Sequence, residues 1–131
     1  MNKNYRLLKS LGSYLILLFL LGAAGLSSCT WDEIPPPEIV IPDDGVSFSE
    51  DIIPIFEASC ATTNCHDGSW RPDLRANVAY AEVMDGYVNV NSPEDSELYI
   101  KIAPGGSMSQ YATDQERALI LAWIEEGAED N

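Results

Sequence analysis

The residues best suited to chemistry lie in one short run, Cys60-Ala61-Thr62-Thr63-Asn64-Cys65-His66. Two soft thiols and one imidazole at this spacing offer three chemistries. The thiols can close a disulfide, the three side chains can ligate a metal, or the thiols can be alkylated by a cofactor whose metal the imidazole binds. A structural zinc site needs four ligands, and two Cys with one His leave it a ligand short. Elsewhere the sequence has no nucleophile–base–acid pattern, no paired-carboxylate motif and no phosphate loop, so it is not read as an enzyme.

Covalent haem attachment uses Cys-x-x-Cys-His. The two thiols add across two vinyl groups, and the imidazole next to the second Cys binds the iron from one face. Here four residues separate the cysteines, but Cys65-His66 keeps the adjacency that places the ring under the iron. The two extra residues are expected to loop outward. His66 is the only histidine, so a sixth ligand would have to be a methionine. Met1 is in the leader and Met84 is in a predicted helix. Met108 lies in the Gly-rich stretch Pro104-Gly105-Gly106-Ser107-Met108-Ser109, which can carry a thioether to the opposite face.

Four helices are expected to position these residues. Ser49 or Asp51 can cap the first, which carries Ile52, Ile53, Ile55 and Phe56, with Pro54 tolerated only in the first turn. The second is expected over residues 78–84, stopped by Gly86. A third starts at Ser92 with Pro93 in its first position and runs through Leu98, Tyr99 and Ile102. In the last, Thr113-x-x-Glu116 is a capping box. Leu119, Ile120, Trp123 and Ile124 share one face there, and Gly127 stops the run. The only strand signal is Tyr87-Val88-Asn89-Val90, so the expected class is all-α. The folded domain is expected over residues 46–131. A domain of this size buries only about 60–65% of its unfolded surface and usually needs a staple.

The leader and the charge indicate where the domain works. Lys3, Arg6 and Lys9 precede an apolar run from Leu11 to Gly25, and Leu26-Ser27-Ser28-Cys29 follows. This resembles the lipobox of bacterial lipoproteins, with residues 1–28 as signal peptide and Cys29 as the lipidated first residue. Acyl chains contribute ~0.8 kcal/mol per buried methylene, and more than one chain anchors firmly. Thr30 in place of Asp points to the outer membrane. Removing Cys29 from the count leaves Cys60 and Cys65 as a pair. Residues 29–45 are rich in Pro and acid and read as an extended tether reaching about 40–50 Å. Beyond position 28 four basic residues face all 21 acidic ones, a net of −17. That excludes nucleic-acid binding through phosphate neutralisation and a polybasic membrane surface.

Taken along its length, the segment from Val46 resembles a small monohaem cytochrome c domain of the class I type. The matching pattern starts with Asp51-Ile52-Ile53-Pro54-Ile55-Phe56 leading into Cys60…Cys65-His66. It continues with Pro72-Asp73-Leu74, Ser96-x-Leu98-Tyr99, a loop with Met108, and Trp123-Ile124-Glu125-Glu126-Gly127-Ala128. The resemblance implies a bundle of about four short helices around covalently bound haem c. It makes Cys60 and Cys65 the thioether residues, His66 the proximal iron ligand and Met108 the distal one. The Pro72 carbonyl is then the candidate acceptor for the His66 ring N–H. Ser109 stands where this family usually has Pro. The implied function is a one-electron carrier, lipid-anchored outside the cytoplasmic membrane, whose redox partner presents a basic docking face. Two other readings stay open: a haem-free surface lipoprotein with a Cys60–Cys65 disulfide that acts as a binding module, and an accessory haem subunit of a larger oxidoreductase.

Overall fold

In the computed structural model, residues 35–131 are described. The expected signal peptide, Cys29 and the first part of the tether lie outside the described residues. The described chain is all-α, with no strand among the described residues and no helix long and apolar enough to cross a membrane. Helix α1 runs without interruption through Phe48–Ile52, Ile53–Ile55 and Phe56–Cys60; α2 is Ala79–Met84, α3 Glu97–Ile102 and α4 Asp114–Glu125. Single tight turns at Pro93–Asp95 and Ser109–Tyr111 precede α3 and α4.

The start of α1 differs from expectation. Its cap is Ser47, not Ser49 or Asp51: the Ser47 hydroxyl accepts the Glu50 N–H at 3.2 Å, and the Asp51 carboxylate accepts the Ser47 N–H at 2.8 Å. Ser47 still has extended backbone, which a capping residue needs, whereas Ser49 and Asp51 are already wound into the helix. The C-terminal residue completes the cap, because Asn131 accepts the N–H groups of Phe48 (2.7 Å) and Ser49 (2.9 Å). Pro54 is not in the first turn but well inside the helix. The turns on either side of it are wide, closed by Ile53 N–H to Phe48 and by Ala61 N–H to Phe56 (2.7 Å). Such winding relieves the clash of a proline ring with the carbonyl four residues back.

The expected third helix is broken in two. Ser96 is extended (φ −61°, ψ 129°) and almost fully buried, and its hydroxyl accepts the Asn89 N–H at 2.9 Å. That bond, with Leu98 N–H to the Tyr87 carbonyl at 3.0 Å, ties α3 to residues 87–90. Those residues form an irregular connection, not a strand. Before it, α2 begins one residue after Val78 and ends with Gly86 in the left-handed region at φ +95°.

Helix α4 forms as its sequence signals require. Thr113 and Glu116 make both bonds of the capping box. At the other end Gly127 (φ +107°) lets Ala128 N–H reach the Trp123 carbonyl at 2.9 Å and its own N–H reach Ile124 at 3.1 Å. Ile120, Trp123 and Ile124 pack against Phe48, Ile52 and Phe56 of α1, with Ala79 and Val83 of α2 completing the layer. Phe48 stacks 5.0 Å from Trp123 and 5.2 Å from Tyr80 between ring centres. The polar tips are satisfied too: Trp123 Nε1–H donates to Glu129 and the Tyr80 hydroxyl to Ala128.

The compact unit begins at Pro37, ahead of the expected start at Val46. Gln115 bonds both the N–H and the carbonyl of Val40, and Glu126 accepts the Val46 N–H at 2.7 Å. Part of the Pro- and acid-rich segment is therefore laid along α4, not free.

Candidate functional site

Cys60 is the last residue of α1, and the chain turns back directly after it. Cys65 N–H donates to the Thr62 carbonyl at 2.9 Å, and Asn64 takes the left-handed conformation (φ +64°) that asparagine tolerates. His66 N–H then reaches the Cys60 carbonyl at 3.1 Å. The four intervening residues thus close a tight loop that sets Cys65-His66 beside Cys60, with Thr62, Thr63 and Asn64 exposed to solvent.

His66 is held by the loop that follows. Its Nδ1 lies 2.9 Å from the Pro72 carbonyl oxygen. A carbonyl only accepts, so Nδ1 carries a proton, and in the neutral imidazole that leaves the lone pair on Nε2, the tautomer a metal ligand needs. The loop is pinned at several points. His66 accepts from Leu74 N–H at 2.8 Å, Asp73 N–H donates to Glu82 of α2 at 3.2 Å, and Arg71 bridges Glu82 and Asp85. Arg75 holds the Asp73 carboxyl below the usual carboxylate range by direct hydrogen bonding. Helix α2 therefore acts on the site indirectly, by fixing the loop that orients the imidazole.

Met108 reaches the same cavity on a separate loop. Its N–H donates to the Lys101 carbonyl at 2.8 Å, folding the loop onto the end of α3. Only glycine fits at 106: a Cβ there would lie 2.3 Å from the Ile100 carbonyl oxygen and 2.4 Å from that of Lys101. From α4, Arg117 donates to the carbonyls of Ile102 (2.6 Å) and Ser109 (2.7 Å) and pairs with Asp114.

All five residues singled out in the folded domain, Cys60, Cys65, His66, Pro72 and Met108, line one cavity of about 630 Å3. That volume lies within the ~300–1,000 Å3 range of clefts that bury small molecules and cofactors. Its walls are mainly apolar, drawn from Ile55 and Phe56 of α1, Leu74, Leu98 and Ile102 of α3, and Ile120 of α4. Trp70, Tyr111 and Met108 are large apolar side chains at the cavity that remain well exposed. Arg71 and Lys101, two of the four basic residues beyond the leader, also line it.

Cys60 and Cys65 are free thiols. Burial foremost, then the charges of Glu116 and Cys65, pushes the Cys60 thiol up to about 11, so it is protonated at neutral pH. Among the described residues no group of three or more His, Cys, Asp or Glu side chains could hold a bare metal ion. The donor set fits haem: two thiols, an imidazole whose Nδ1 is bonded to a carbonyl, a thioether, and a mainly apolar cleft.

No family model, no characterised protein and no solved structure matches this chain.

Several residues that shape the site went unnoticed in the sequence. Arg117 is one of four basic residues beyond the leader, and its position three residues after Asp114 gives no sign of the two carbonyls it meets. Gly106 reads as loop flexibility, whereas its role is close backbone approach. Trp70 and Tyr111 carry no local pattern that would set them beside the cavity.

Proposed function

We propose that the protein is a one-electron carrier of the cytochrome c type, with haem c held in the cavity bounded by α1, the loop 61–75, α3 and the Met108 loop. The observation that carries this reading is the convergence of Cys60, Cys65, His66, Pro72 and Met108, distant in sequence, on one apolar cavity.

Cys60 and Cys65 would hold the group by adding S–H across its vinyl double bonds, an addition with no leaving group and no net redox change. His66 would supply Nε2 as proximal ligand, kept in register by the Pro72 carbonyl. Met108 would supply its sulfur from the other side. The haem, once bound, supplies an Fe(II)/Fe(III) couple, and His/Met ligation favours the reduced state. The apolar walls would lower the local dielectric around the group, which further disfavours the more highly charged oxidised state.

In this reading the protein is an electron-transfer protein and not an enzyme, since His66 and Met108 would both be iron ligands supplied by the chain itself. It is tethered through Cys29 as an outer-membrane lipoprotein, facing the periplasm or the cell surface. The net negative charge would attract a redox partner with a basic docking face and raise the on-rate at low salt.

The test is the visible spectrum of the protein co-expressed with a c-type maturation system. A sharp reduced α-band that survives acid–acetone extraction supports covalent haem. A folded, colourless product in which Cys60 and Cys65 are oxidised to a disulfide sinks the reading and favours the stapled binding module.

A further inference from the structure

We infer that Arg117 is the positioning residue for the distal methionine, tying the loop that bears Met108 to the C-terminal end of α3. This rests on the reading that Met108 is an iron ligand.

Helix α3 is only six residues long, and its last carbonyls have no partner within the helix. Arg117 meets one of them, donating Nε–H to the Ile102 carbonyl at 2.6 Å. The same guanidinium donates from Nη2 to the Ser109 carbonyl at 2.7 Å, one residue past Met108. Its remaining edge pairs with Asp114 in the first turn of α4. A planar fork that satisfies three acceptors at once is a task for arginine, because the ammonium of lysine is a single point donor. The side chain is 16% exposed, so these bonds are largely shielded from water.

The residues on the other side of the loop explain why a clamp is needed. Met108 itself is 37% exposed, and little apolar packing holds it down. Ser109 lacks the ring that would stiffen the backbone after the ligand. The contacts that bring the loop home are the Met108 N–H bond to Lys101, the close approach at Gly106 and the Arg117 fork. Of these only the fork links the loop to a second helix. Without it, the loop hinges on one side and the sulfur has no fixed height over the cavity.

The experiment compares four variants in the full chain, matured with the haem-attachment machinery. Arg117→Gln removes the fork, and Arg117→Lys keeps the charge. Gly106→Ala pushes the loop off α3 by steric clash. Thr113→Ala weakens α4 at its cap without touching the loop. Arg117→Gln is expected to keep the covalent haem and reduced α-band, lose the weak far-red band of methionine-bound ferric haem, and bind added imidazole about tenfold tighter or more. Gly106→Ala should behave alike, Arg117→Lys should recover part of the band, and Thr113→Ala should keep it.

An unchanged far-red band and imidazole affinity in Arg117→Gln would overturn the assignment. So would loss of the band in Thr113→Ala to the same extent, because the effect would then be one of helix stability. Absence of the band in the wild-type protein, with covalent haem present, would overturn the inference while leaving the electron-carrier reading intact. Were the protein colourless, that reading would fail instead. Amide exchange over residues 103–111 then judges the clamp: faster exchange in Arg117→Gln than in Thr113→Ala supports it, and equal rates overturn it.

Discussion

The two sides of the α1–α4 pair are built differently. On one side Phe48, Tyr80 and Trp123 close into an aromatic cluster with their polar tips bonded. On the other, Ile55, Phe56, Leu98, Ile102 and Ile120 present apolar surface to a cavity of about 630 Å3. Phe56 belongs to both, buried in the core and lining the cavity. The first side is a finished core. The second is a core with its centre left out, held open by loops that are pinned by hydrogen bonds to backbone carbonyls and by ion pairs. Its wall residues are themselves buried, so what the open side lacks is packing partners across the cavity. That contrast is what a domain organised around a bound group would display.

The comparison makes graded predictions. The largest effect is expected when the proposed haem cannot be attached. Cys60→Ala with Cys65→Ala should abolish covalent haem and leave residues 61–75 and 103–111 exchanging amide protons far faster than α4. Uniform protection in that variant would mean that the open side is self-sufficient. Next, Trp123→Ala hollows out the closed side and should cost about 3–5 kcal/mol of unfolding free energy. Denaturant melts would measure it, and the visible spectrum of the fraction still folded should be unchanged. A shifted spectrum at native conditions would show that the two sides are not separable.

The smallest effect concerns pH. Asp73 is held below its ordinary range by the Arg75 side chain. A carboxyl lowered on folding adds stability above the ordinary carboxylate range, and that stability disappears as pH falls through the lowered value. Asp73→Asn should therefore be less stable than wild type at neutral pH, with the difference closing as pH falls through the lowered value. Because the pair is exposed and screened, the shift is expected to be small. A constant difference across that range would locate the effect elsewhere. Since Asp73 follows Pro72, the loosening should register first in the loop around His66.

Which parts of this were legible in the sequence follows from how local each signal is. Helix α4 was readable at both ends, because a capping box and a glycine stop act within one helical turn. Helix α1 was readable as a helix but not at its start. Its cap is completed by Asn131, which the fold brings in from the far end of the chain. The break at Ser96 was illegible, because its cause is a buried hydroxyl bonded to Asn89. The segment at 37–45 read as free tether from its prolines and acids, and no local pattern says that Gln115 will clasp Val40.

The site divides in the same way. Cysteine and histidine spacing, the single histidine and the scarcity of loop methionines singled out Cys60, Cys65, His66 and Met108 by themselves, because ligand chemistry is a property of residue type and short-range order. The all-α class followed equally from caps and periodicity. Only the tertiary structure decided that these residues share one cavity and that Arg117 grips the Ser109 carbonyl. The Arg117 bonds go to backbone carbonyls, which every residue carries alike, so residue type gives no sign of which two it will meet.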